Sequence, residues 1–196
     1  KTSWKDRFLR DGVRVNGVNG NANYYGIEQV HTGIEFDGVL EISPFVKVEG
    51  MLSLGNYEYG GDVKADVFDS SQQLIGSSTI YLDGVKVGDA AQFTMSFGAD
   101  YRIGSINLDA NYRFVDGLYA DYSIVDSAFL SPDNPGALKL PSFGLVDFGA
   151  SIPIKLSKKN SGNQLTFRLN VNNLFDTTYI AESNTNIHAD ASSTKW

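Results

Sequence analysis

Residues 165–180 read LTFRLNVNNLFDTTYI, and the first half of this stretch alternates without a fault. Leu165, Phe167, Leu169 and Val171 are apolar; Thr166, Arg168, Asn170 and Asn172 are polar. A period of two gives one oily and one wet face, which is a β-strand. The wet face carries an arginine and asparagines, and the chain then runs into Asn173-Leu174-Phe175-Asp176. What each face looks at decides the fold.

The same alternation recurs along the chain. Residues 34–42 (IEFDGVLEI) set Ile34, Phe36, Leu40 and Ile42 against Glu35, Asp37 and Glu41. Residues 46–54 (VKVEGMLSL), 93–103 (FTMSFGADYRI), 106–114 (INLDANYRF) and 146–154 (VDFGASIPI) repeat the pattern. A less regular seventh candidate lies at residues 4–9. Each strand is about ten residues, the length of a tilted membrane-crossing strand.

The connections discriminate further. Ser43-Pro44-Phe45 and Gly104-Ser105 are tight turns, and residues 155–164 (KLSKKNSGNQ) form a somewhat longer polar link. The alternate connections, residues 10–33, 56–92, 115–145 and 176–196, read as long loops. Compact soluble domains seldom need several loops beyond ~12–15 residues. Short and long connections in alternation are the layout of an outer-membrane barrel, with short periplasmic turns and long extracellular loops. Within the long loops, Asp83-Gly84 in residues 78–89 signals a hairpin. Residues 130–141 (LSPDNPGALKLP) cluster proline and read as a rigid excursion outside the sheet.

Composition agrees. Among 196 residues there are 20 Gly, 10 Tyr and 12 Phe but 5 Pro, which suits a β-rich chain with many turns. Cysteine is absent, which removes disulfides, thiolate zinc sites and thiol catalysis. Net charge is −7 and no basic patch interleaved with aromatics occurs, which argues against nucleic acid. Mean hydropathy is −0.19, and no apolar run reaches the ~18 residues of a membrane helix. Barrel strands alternate and average near zero, so that value does not exclude a membrane. Residues 1–10 lack the apolar core of a secretory signal, so the sequence reads as a mature start or an internal piece.

A soluble sandwich or lipocalin-like barrel would explain alternation too, with the apolar face inward. Here the apolar side chains are large and repetitive, with Phe36, Phe93, Tyr101, Tyr112, Phe114 and Phe148 near strand ends. That is the pattern of a lipid-facing band with aromatic girdles.

Asn173, Leu174, Phe175, Asp176 and Tyr179 resemble the penultimate-strand signature of TonB-dependent outer-membrane receptors. Residues 140–152 (LPSFGLVDFGASI), 97–122 and 31–59 are similar, in order, to that family's preceding strands. The resemblance implies a barrel of about 22 strands plugged by an N-terminal domain. It implies a ligand, either a small molecule or a metal chelate, bound at extracellular loops and imported with energy delivered through TonB. It also implies a Gram-negative outer membrane, with lipid around the barrel. The match is closer to the siderophore and cobalamin type than to the oligosaccharide type. Residues 1–196 are thus expected to be the C-terminal portion of a receptor barrel, about six or seven strands, with the plug and final strand outside this sequence. A passive porin is the alternative, then a soluble ligand-binding sandwich.

The sequence assigns no catalytic, cofactor or metal role to any residue and singles out no substrate-binding residue, so no enzyme is expected. An outer-membrane hydrolase would need a nucleophile with His and acid partners. His31 and His188 are expected at strand tops or loops, as solvated histidines rather than ligands. Residues 62–71 (DVKADVFDSS) are acidic but lack the spacing of a calcium loop. Residues 17–26 (GVNGNANYYG) carry the Asn, Gly and Tyr of turns or of a sugar or siderophore contact, and no helix follows to make a phosphate cradle.

Overall fold

The computed structural model describes residues 1–15, 18–156 and 163–183. Among these described residues are nine strands: β1 (Thr2–Val15), β2 (Val18–Ser43), β3 (Val46–Tyr59), β4 (Val63–Phe68), β5 (Leu74–Ile80), β6 (Phe93–Ile103), β7 (Ile106–Asp116), β8 (Phe143–Lys155) and β9 (Gln164–Val171). All pairings are antiparallel. The strands form a single curled sheet in the order β5-β4-β2-β3-β6-β7-β8-β9, with β1 on the other edge of β2.

The expected strands are all present, and several are longer than their alternation shows. The largest difference is at residues 10–33, expected as a loop. There β1 runs on to Val15 and β2 begins at Val18, paired almost throughout. Their register shifts between Trp4 and Leu9, where Asp6 (φ 52°) and Gly26 (φ 73°) adopt left-handed conformations. Such a bulge moves the side chains beyond it to the opposite face, so no continuous alternation marks the extension. Most of residues 17–26 lie in β2 rather than in a loop. Their described part is strand, with Ala22 and Tyr24 buried.

The expected hairpin at Asp83-Gly84 is displaced. Gly84 does turn (φ 73°), but Leu82 beside it is fully buried rather than in a ladder. The hairpin of this region is β4–β5, closed around Asp69, whose carboxylate accepts N–H bonds from Ser71 (2.8 Å) and Gln73 (2.9 Å). The proline-rich excursion is as expected: a short 3₁₀ turn at Ser127–Leu130 and a lone bridge from Lys139 to Tyr119.

Register places the two faces without ambiguity. On one face Phe36, Leu52, Met95 and Phe114 are cross-strand neighbours. Nearer the short turns, Leu40, Val48, Ala99, Ala110, Phe148 and Val171 make the next-but-one row. Below it come Val46, Tyr101, Leu108, Ala150 and Leu169. Phe148 and Tyr112 lie at mid-height, so the aromatics are not confined to the strand ends.

Among the described residues no layer packs on this apolar face. Phe36 is 63 % exposed and Leu169 60 %. Leaving one such side chain in water forgoes roughly 1.5–3 kcal/mol relative to burying it. A soluble sandwich would cover these rows, whereas lipid covers them around a barrel wall. Residues 33–43 of β2 rise ~28 Å at ~3.3 Å per residue and ~40° of tilt, which matches the hydrocarbon core.

Candidate functional site

The opposite face is charged. Glu41, Lys47, Asp100, Asp109, Gly149 and Asn170 form one row across six strands. Lys47 lies 3.1 Å from Glu49 and 3.5 Å from Asp100. Arg168 reaches over β8 to Asp109 at 3.1 Å and 3.2 Å and binds Asn170 at 2.7 Å. It can do so because Gly149 lies between them: a methyl there would overlap the Asp109 carboxylate. Gly98 likewise leaves room for Glu49, whose Cγ would sit 2.8 Å from an added Cβ. Solvent-exposed pairs of this kind contribute ~0–1 kcal/mol each. Their greater consequence is a hydrophilic inner wall on which acids outnumber bases.

The only buried cores among the described residues lie beyond the apolar band, at the long-loop end. Ala22, Tyr24, Ile27, Tyr59, Val63, Ala65, Ile80, Leu82 and Phe129 pack together. Leu118, Ala120 and Leu140 make a second cluster, joined by Phe143 and Ile180. Register puts Ile27 and Tyr59 on the charged side of the sheet, so the loops fold inward as a cap over the concave face. Asp62 fixes the cap by accepting the N–H groups of Leu82 (3.0 Å) and Asp83 (3.1 Å). Lys86 bridges Glu58 (2.7 Å) and Asn56. That bond, ahead of all other effects, holds the Glu58 carboxyl below its usual range. Burial raises the Tyr59 and Tyr122 hydroxyls, and Tyr122 donates to the Lys86 carbonyl at 2.8 Å. Asp89 at the rim is raised by desolvation first, then by Asp121 and Glu182.

The acidic stretch 62–71 is strand and turn rather than a cation loop. Asp66 is bound to Ser77 (2.6 Å) and Lys64 (3.2 Å), and the carboxylates of Asp62 and Asp69 are committed to backbone N–H groups. Among the described residues no group of three His, Asp or Glu is placed to hold a metal. His31 sits on β2, facing inward just above the apolar band. Its ring lies 4.7 Å from both Trp4 and Tyr57, and its Nε2 has no hydrogen-bond partner among the described residues. It is part of a cross-strand aromatic group rather than a free loop histidine. His188 and Trp196 lie outside the described residues.

The end of the opening stretch has a structural cause that its alternation does not show. Asn173 takes a left-handed conformation (φ 51°), and its side chain closes a loop, donating to the Thr177 carbonyl (3.0 Å) and accepting from the Thr177 N–H (2.9 Å). Its own N–H donates to Asp147 at 2.8 Å, while Leu174 N–H donates to the Val146 carbonyl at 2.7 Å. The Val146-Asp147 and Asn173-Leu174 pairs, far apart in sequence, thus form one junction. Their joint presence in the resemblance was the only signal of it.

A wall apolar outside and charged inside, with tight turns at one end and a packed cap at the other, defines a membrane-spanning barrel wall. A model of the TonB dependent receptor-like β-barrel matches residues 2–174, and the chain belongs to that family. This is a family of outer-membrane receptors that transport rather than catalyse. No curated protein and no solved structure matches the chain.

Proposed function

We propose that this chain is the C-terminal portion of a receptor that imports a scarce nutrient across a Gram-negative outer membrane with energy delivered through TonB. Candidate cargoes are a ferric siderophore, cobalamin, haem or an oligosaccharide. A plug domain and a last strand encoded outside these residues would complete the barrel and carry the contact with TonB. The observation that carries this reading is the two-faced wall joined to an inward-folded cap, in a chain of the TonB-dependent receptor family. The lipid-facing rows hold the wall in the membrane. The cap packs over the lumen where a cargo would enter.

The test is growth and uptake. A strain deleted for the full-length gene is supplied with each of the four cargo classes as sole source. The proposal expects one class to fail, with restoration by the intact gene and loss on TonB deletion or proton-gradient collapse. Uptake that persists without TonB would instead identify a passive channel.

A further inference from the structure

The described chain does not end at β9. Residues 173–183 leave that strand and cross the lumenal side of the rim. Tyr179 stacks on Phe143 with ring centroids 4.6 Å apart, and register with Val115 puts Phe143 on the inner face. Ile180 packs into the Leu118, Ala120 and Leu140 cluster. The Asp121 N–H donates to the Ser183 carbonyl at 2.8 Å. The segment is a strap tied from β9 over β8 to the loop between β7 and β8.

Its root is the Asn173 turn, held to β8 by the Leu174 N–H bond to the Val146 carbonyl (2.7 Å) and by one carboxylate. Asp147 Oδ1 accepts the Asn173 N–H at 2.8 Å, and its Oδ2 faces the Arg113 guanidinium at 3.4 Å. Arg113 points into the lumen and is half exposed there. One residue therefore touches both the hydrated interior and the hinge of the strap.

We propose that Asp147 is a positioning residue that holds the strap across the lumenal side of the extracellular rim, and that Arg113 ties this hold to the charge environment of the lumen. An acidic group entering the lumen competes for Arg113. Asp147 then loses its lateral anchor, and the strap loosens at its root. A strap so placed lies between the outside and the lumen, so its position shapes the entrance. The inference concerns the geometry of the rim and holds for any cargo, so its failure leaves the uptake reading intact.

Residues 1–196 hold no cysteine and Thr178 is exposed beside the turn, so a nitroxide on Thr178→Cys reports the strap in the full-length receptor in outer membranes, with any cysteine outside these residues replaced by serine. Asp147→Ala is expected to reduce the immobile spectral component clearly, while the Leu174 bond to Val146 and the Tyr179 contact with Phe143 keep some of it. Asp147→Asn keeps an oxygen that accepts the Asn173 N–H, so it retains more of that component. Arg113→Gln is expected to shift the spectrum of the parent toward mobility, yet to add nothing to Asp147→Asn. Arg168→Gln breaks a different lumenal pair and is expected to change nothing at Thr178. An unaltered spectrum in Asp147→Ala with the barrel still folded would overturn the proposal, as would equal mobilisation by Arg168→Gln. If Asp147→Ala does not assemble, Asp147→Asn and Arg113→Gln carry the test: an additive effect of the two refutes the link through Asp147.

Discussion

Gly149 carries no side chain because the space above it belongs to Asp109. Its replacement by alanine pushes that carboxylate off Arg168, and since a flexible side chain yields, the expected cost is about 1 kcal/mol or less. Gly88 is different in kind: an added Cβ would meet the Asp121 Cα at 2.7 Å and the Ala120 carbonyl oxygen at 2.8 Å. Backbone cannot swing aside, so Gly88→Ala is expected to cost about 1–3 kcal/mol, while Gly38→Ala, with open space around it, is near neutral. Thermal loss of the compact, heat-modifiable form in gels should come earliest for Gly88→Ala, next for Gly149→Ala and last for Gly38→Ala. Glu58 gives a residue-scale pH dependence. Its folded pKa lies below its ordinary value of 4.5, so its bond to Lys86 stabilises the cap fully above that value. The contribution is lost as pH falls through the lower, folded pKa. Protection factors of the Tyr59 and Val87 amides, whose bonds to the Val85 and Tyr57 carbonyls flank that contact, should fall in acid once the intrinsic pH dependence of exchange is divided out, and Glu58→Gln should remove that fall. None of these contacts is legible in the sequence, because glycine and glutamate look alike there whether they face solvent, lipid or each other.

At the scale of the element, β9 was legible and β2 was legible only in half. Alternation in β9 is unbroken, and its outward Leu165, Phe167 and Leu169 remain exposed in the structure. Above Thr32, β2 crosses a bulge and a stretch rich in Asn and Gly, residues that strands seldom favour; pairing with β1 and β4 overrides that preference. The Asp-Gly signal misled for a related reason. It marks a turn correctly, but its flanks do not pair with each other: Asp62 and the cap core hold the upstream side, and Lys86 bridges to Glu58 of β3 on the downstream side. The face assignment of β9 yields a sharp contrast. Leu169→Arg turns a charge to lipid at a cost of roughly 2–4 kcal/mol and should block stable assembly of the full-length receptor. Arg168→Gln, one residue away, should assemble and keep its heat-modifiable mobility. Equal behaviour of the two would mean the faces are assigned wrongly.

For the whole molecule, the rhythm of strands and turns made the barrel wall readable, because lipid imposes one simple rule on each strand. The cap and the Asp147 junction were not readable. The cap depends on contacts between loops with no period and the junction on a contact from β8 to the turn after β9, and both exist only once the strands bring these segments together. The family match covers the wall and reaches Leu174, so the architecture and the family agree over the same residues. The central claim is that one face of this sheet meets lipid and the other a watery lumen. Spin labels placed singly at residues 165–171 of the full-length receptor, in outer membranes, test it most directly. Labels at 165, 167, 169 and 171 are expected to collide with oxygen dissolved in lipid, while those at 166, 168 and 170 collide with a water-soluble nickel chelate. A pattern without alternation, or one of opposite phase, would contradict it.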